Sequence, residues 1–209
     1  MGFFEYISQH WYVGVALVLL VVLTVFAWFK AAIAGRKRAE ERARIIAEIE
    51  KEKALRKEFR TVDKYTFSDD KDDYRLIVGM CAHIQQNLEN EEDMNLAFET
   101  LSEVEQNIYA LGYVFEDSKK GLSEFFRANG EPLLSVSDRA VKNVIDGEFY
   151  RLFHSEFMML DENDETTSVD NSKLEDYDEK FKKLLEENSQ ELYGSVASYI
   201  RKNKDKFIA

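Results

Sequence analysis

The side chains best suited to covalent or metal chemistry are sparse in this sequence. There is one cysteine, Cys81, and three histidines, at 10, 83 and 154. Cys81-Ala82-His83 is the nearest approach to a nucleophile and base pair. On a helix, residues two apart point about 200° away from each other, so this pair does not face itself. Cys81 falls on an apolar stripe, where a thiol behaves as a small hydrophobe. His154 stands between Phe153 and Phe157, and a carboxylate near it in a cleft would make it a candidate general base. Asp161-x-Asn163-x-Glu165 has the opening spacing of a calcium loop. Thr166 replaces the sharp-turn glycine, and Ser172 stands where a bidentate glutamate is needed. There is no HExxH, no phosphate-binding glycine loop and no GxGxxG. These residues assign no catalytic, cofactor or metal position, and the reading is of a protein that is not an enzyme.

Carboxylates are the abundant functional group. They cluster at Asp69, Asp70, Asp72 and Asp73, at Glu91, Glu92 and Asp93, at Asp161–Glu165, and at Glu175, Asp176, Asp178 and Glu179. Paired acids lose diagnostic value where acids are common. The whole chain carries −12, but unevenly: residues 1–60 hold 11 basic and 7 acidic side chains, whereas residues 61–209 hold 17 and 33. A domain at −16 is disfavoured as a direct nucleic-acid binder, since such binding draws on Lys and Arg neutralising phosphates. It could instead present carboxylates to a basic or DNA-binding protein. Acidity alone also serves solubility.

The elements that must position these groups divide at Arg60, where the charge changes sign. Trp11–Phe29 is a run of 19 uncharged residues, about 28 Å as a helix, close to the hydrocarbon thickness of a bilayer. Trp11, Tyr12 and Trp28 mark its ends, as amphipathic rings do at a membrane–water interface. The short leader, residues 1–10, lacks the basic residues of a signal peptide. Positive charge follows instead, at Lys30, Arg36, Lys37 and Arg38. The expectation is a single transmembrane helix over 11–34 in an inner or plasma membrane, N-terminus outside and the rest cytoplasmic. Those cations would contact lipid headgroups. Residues 35–60 read as a charged helical stalk, solvated or, through a thin seam at Ile45, Ile46 and Ile49, joining copies of the chain.

Residues 61–209 read as an all-α domain. Apolar residues recur at helical spacing in Tyr74–Leu88, Met94–Leu101, Val104–Phe115, Leu122–Phe126, Val141–Ile145 and Phe149–Leu160. Ser102 with Glu105 predicts a capping box, and Ser137 is taken as the cap of a further helix. Asp146-Gly147 interrupts or bends the chain. Residues 161–173 have little to bury and read as an exposed loop. The last segment is two helices, or one bent near Asn188. No segment alternates like a strand between hairpin turns.

Two stretches resemble a bacterial family of unknown function that takes its name from a DNA-mimic protein. Leu101–Tyr109 through Gly121–Gly130 is similar to the family's centre, with Gly121, Phe125, Phe126, Asn129 and Gly130 on its Phe-rich pattern. Asp176–Phe181 through Ser198–Phe207 resembles its closing helices. The resemblance covers about residues 95–209. It departs at Ser118-Lys119-Lys120-Gly121, where the family has Asn-Asn-Gly-Gly. It implies an all-α fold, a non-enzymatic role and a DNA-binding protein as partner. The five matching residues are read as core and turn positions, and the acidic clusters as the contact surface. The alternatives are a structural membrane component associating through the stalk, or an enzyme with a pocket near His154.

Overall fold

The computed structural model describes residues 11–68, 72–159 and 171–208, with some side chains in 11–37 and 171–173 left out. Among the described residues every regular element is helical. By its internal contacts the chain forms two compact units, Met1–Lys53 and Ala54–Ala209.

The first unit holds most of helix α1, Trp11–Glu58. Ala, Leu, Glu, Lys and Arg favour helix there, and no proline interrupts it. Its apolar residues are exposed: Leu20, Leu23, Phe26 and Trp28 have nothing covering them. Thr24 returns its hydroxyl to the Leu20 carbonyl, at 2.7 Å. Lys30 lies over the Phe26 ring, 5.1 Å from its centre. Further on, Arg44 bonds Glu48 at 3.3 Å, leaving Ile45, Ile46 and Ile49 exposed. Among the described residues no helix is long and apolar enough to cross a membrane. Several side chains of the uncharged run, Trp11 and Phe29 among them, lie outside that set.

The second unit begins ahead of the charge break at Arg60, because the end of α1 is part of its core. Leu55 packs on that core and Phe59 is buried in it. The Phe59 ring fills the space beside Gly79 so closely that a Cβ there would fall 2.3 Å from it. His83 and Gln86 hold the same segment through the Phe59 and Arg56 carbonyls, at 2.8 and 3.1 Å.

The helices that follow are α2 (Asp73–Leu88), α3 (Met94–Thr100), α4 (Glu103–Asp117), α5 (Leu122–Ala128), α6 (Leu133–Val144), α7 (Gly147–Phe157) and α8 (Asn171–Lys202). Single 3-10 turns occupy Ser118–Lys120 and Lys204–Lys206. α4 packs between α2 and α6, while α8 lies along α2 and α7. Aromatic rings lock the helices together. Phe149 meets Phe115 of α4 at 5.9 Å and Phe181 of α8 at 5.0 Å, and Phe153 meets Phe125 of α5 at 5.7 Å. Phe125, Phe149, Phe153 and Phe181 are among the largest side chains wholly withdrawn from water.

The local signals correspond to the elements with two corrections. The capping box at Ser102 and Glu105 is present, and Asp146 and Gly147 both take positive φ, ending α6. Ser137, however, caps nothing: α6 starts at Leu133, and Ser137 is buried one turn inside it. Pro132 marks the true start, where its missing N–H leaves no helical bond unmade. Of the two arrangements the C-terminal pattern allows, the structure has the single helix. Asn188 stays within it by donating its amide to the Leu184 carbonyl at 3.3 Å. That helix already includes Asn171–Lys173, which the sequence places in the loop. Residues 161–170 lie outside the described set.

Two glycine substitutions test this packing. Gly79→Ala forces the Phe59 ring out of its seat and lowers stability by about 1–3 kcal/mol. Gly194→Ala meets only Asp73 Oδ2, at 3.8 Å, and gains up to about 1 kcal/mol of helix propensity. Urea denaturation measures both; equal and small effects would contradict the close seat.

Candidate functional site

Cysteine and histidine do not converge. Cys81 is buried, its thiol turned toward the Tyr109 carbonyl at 3.5 Å and packed against Gly112. Burial pushes that thiol well above its ordinary range, so thiolate chemistry is suppressed. His83 turns the other way, Nδ1 toward the Phe59 carbonyl. A carbonyl only accepts, so Nδ1 carries the proton there.

His154 does have a carboxylate beside it. Asp138 on α6 lies 2.8 Å from Nδ1, with the two side chains 17 % and 40 % exposed. Tyr150 stacks on the imidazole at 5.1 Å. This arrangement orients the ring and leaves Nε2 for other partners. Among the described residues no hydroxyl or thiol is hydrogen-bonded to that ring, and no group of three or more His, Cys, Asp or Glu is placed to hold a metal ion. The calcium-like spacing at 161–165 lies outside the described set.

The acidic clusters divide by duty. Asp69 and Asp70 are outside the described residues. Asp72 caps α2 by accepting from the Arg75 N–H at 2.7 Å. Asp73 pairs with Arg201 at 2.8 Å, tying α2 to α8. Asp93 caps α3 through the Asn95 and Leu96 N–H groups, at 3.0 and 3.1 Å. Asp178 accepts from the Ser123 N–H and hydroxyl, at 2.9 and 2.5 Å, and so caps α5 from a distant helix. Asp176 makes an exposed pair with Lys180 at 2.5 Å. Glu91, Glu92, Glu175 and Glu179 are exposed.

The five Phe-segment residues take structural places. Gly121 has φ +143°, and a Cβ there would lie 2.3 Å from Asp178 Oδ1, so this cap demands glycine. Phe125 and Phe126 are in the core. Asn129 closes α5 by donating to Asp117 and to the Phe125 carbonyl, both at 2.9 Å. Gly130 has open space around it. Of the residues expected at a membrane interface, Tyr12, Trp28, Lys30, Arg36 and Arg38 are exposed; the side chains of Trp11 and Lys37 lie outside the described set.

Two features escape the sequence reading. One is a shallow depression of about 530 Å³ between the end of α2 and α3. Leu88, Ala97 and Leu101 are apolar in its lining, and Glu91, Glu92 and Leu96 border it. Leu96 is 61 % exposed; the available signal was that it falls off the Met94–Ala97–Phe98–Leu101 stripe. The other is Glu156, 1 % exposed, with neither carboxyl oxygen hydrogen-bonded. It occupies the apolar register of Phe149 and Phe153, a place where a carboxylate is anomalous. Burial raises its pKa to about 8, reinforced by the nearby Asp178 charge and opposed by Arg127.

No known family, curated protein or solved structure matches this chain.

Glu156 sets a pH dependence. The folded protein holds its proton up to about pH 8, while the unfolded chain releases it near 4.5. Between those values the folded state binds more protons, so this residue makes stability fall as pH rises through the window. Glu156→Gln removes that contribution and is more stable than the parent above about pH 8. Denaturation midpoints of both proteins from about pH 4 to about pH 9 measure this; parallel curves would contradict it.

Proposed function

We propose that this protein is a membrane-anchored, cytoplasmic protein-binding module that presents carboxylates to a basic partner. The observation that carries the reading is the segregation of charge. Residues 61–209 hold 17 basic against 33 acidic side chains. After Asp72, Asp73, Asp93 and Asp178 have been spent on helix caps and an ion pair, Glu91, Glu92, Glu175 and Glu179 still stand exposed. Carboxylates without a folding role are available to a cationic partner, and they favour encounter with one.

The anchor in this proposal is the uncharged run Trp11–Phe29, a single span in an inner or plasma membrane with the N-terminus outside. Its support is the length of the run, its aromatic ends, the cations that follow at Lys30, Arg36, Lys37 and Arg38, and the uncovered Leu20, Leu23 and Phe26. In this proposal the partner is a DNA-binding protein, and the acidic unit makes no direct nucleic-acid contact of its own. A second reading, association of copies through the stalk, is favoured by the exposure of Ile45, Ile46 and Ile49, 49 %, 56 % and 44 %.

The test is capture by the detergent-solubilised full chain from nuclease-treated lysate at low salt. The expected result is a basic, DNA-binding protein released early in a salt gradient, with its retention reduced by added duplex DNA. Retention indifferent to salt and to DNA would remove the electrostatic reading.

A further inference from the structure

We propose that the depression beside α3 is a docking groove for a cationic amphipathic helix of a partner protein. The proposal rests on the protein-binding reading above and gives it a place and a chemistry. The groove has two kinds of surface. Its apolar part is Leu88, Ala97 and Leu101, with Leu96 exposed on its border. Its polar edge is acidic: Glu91 and Glu92 are exposed there, whereas Asp93 is held by the α3 N–H groups it caps. Among the described residues lining it there is no Lys, Arg or His. Two arginines near this corner are bonded: Arg56 is bidentate to Glu89 at 2.9 and 3.1 Å, and Arg139 donates to Gln106 at 2.8 Å.

The groove is held in shape without an occupant. Phe98 is buried against Tyr109, with ring centres 5.4 Å apart, and Gln106 donates to the Phe98 carbonyl at 3.1 Å. These contacts fix α3 against α4. A fixed apolar groove with an acidic edge selects an occupant that presents leucine-like anchors at i, i+3, i+4 and i+7, flanked by Lys or Arg. The chain's own stalk fits this edge less well, because Ile45, Ile46 and Ile49 are flanked by both signs, Arg42, Arg44, Lys51 and Lys53 against Glu41, Glu48, Glu50 and Glu52, and not by cations alone. The leucines give the groove a demand for apolar anchors in register that a surface of carboxylates alone does not make, so it should distinguish an amphipathic helix from a scrambled peptide of the same charge.

The experiment uses the full chain in phosphatidylcholine nanodiscs, with a benzophenone amino acid placed at position 96 or, as control, at position 65, where Tyr65 is 67 % exposed. The probe is a biotinylated helical Leu/Lys peptide with leucines on one face, compared with a scrambled peptide of the same composition. The expected result is photo-crosslinking at 96 that exceeds both position 65 and the scrambled peptide by about tenfold. Glu91→Gln with Glu92→Gln should reduce it severalfold. In a separate binding assay, Leu96→Asp should abolish peptide binding; this exposed substitution leaves the core intact. Equal crosslinking by both peptides, suppressed by salt, would overturn the groove while preserving the acidic-surface reading. Crosslinking of position 96 to a second copy would overturn it in favour of self-association. Absence of crosslinking by either peptide, at both positions, would overturn the groove, and the broader reading too if lysate capture also failed.

Discussion

An excess of carboxylates is the constraint that the folded unit must satisfy. With 17 basic and 33 acidic residues beyond residue 60, self-repulsion works against compaction. The structure answers it in three ways. Asp72, Asp93 and Glu105 sit at helix N-termini, where backbone N–H groups and the helix dipole favour negative charge. Arg56, Arg75 and Arg201 meet Glu89, Glu58 and Asp73, each pair joining segments distant in sequence. Glu156 is buried with its oxygens unbonded and holds its proton near neutrality. The carboxylates left over stand on the surface. The core supplies the cohesion that lets the unit tolerate them: rings from α4, α5, α7 and α8 meet within one hydrophobic core.

The same distribution governs how far the sequence could be read. Helical stripes such as Tyr74–Val78–Cys81–Ile84–Leu88 are local, and α2 follows them. The Ser102–Glu105 box is local too, because its two bonds span three residues. The difficulties come where two local signals compete. Ser137 has the side chain of a cap, yet Pro132 sets the start of α6 and leaves Ser137 buried. Asn188 left two arrangements open in sequence, and its amide bond back to Leu184 keeps it within one helix.

The candidate site was less legible because its meaning is long-range. In sequence, Asp178 looks like its neighbours Asp176 and Glu179. Only its bonds to Ser123, on another helix, and its seat against Gly121 mark it as structural. Asp138 likewise becomes the partner of His154 only when α6 and α7 pack together. Leu96 and Glu156 did carry local signals, an apolar side chain off its stripe and a carboxylate in an apolar register. Both mark breaks in an otherwise regular pattern, and such breaks are where function or strain tends to collect.

Under the proposed function, the uncharged run Trp11–Phe29 would anchor the chain and hold the acidic unit on the cytoplasmic face. The most direct test of this is protease accessibility of the full chain in alkali-washed membranes, comparing intact spheroplasts with inside-out vesicles. The account predicts that the chain remains with the membrane, that Ala54–Ala209 is protected in spheroplasts, and that it is digested in inside-out vesicles. Release of the chain by the alkaline wash, or digestion of that unit from the outside, would contradict it.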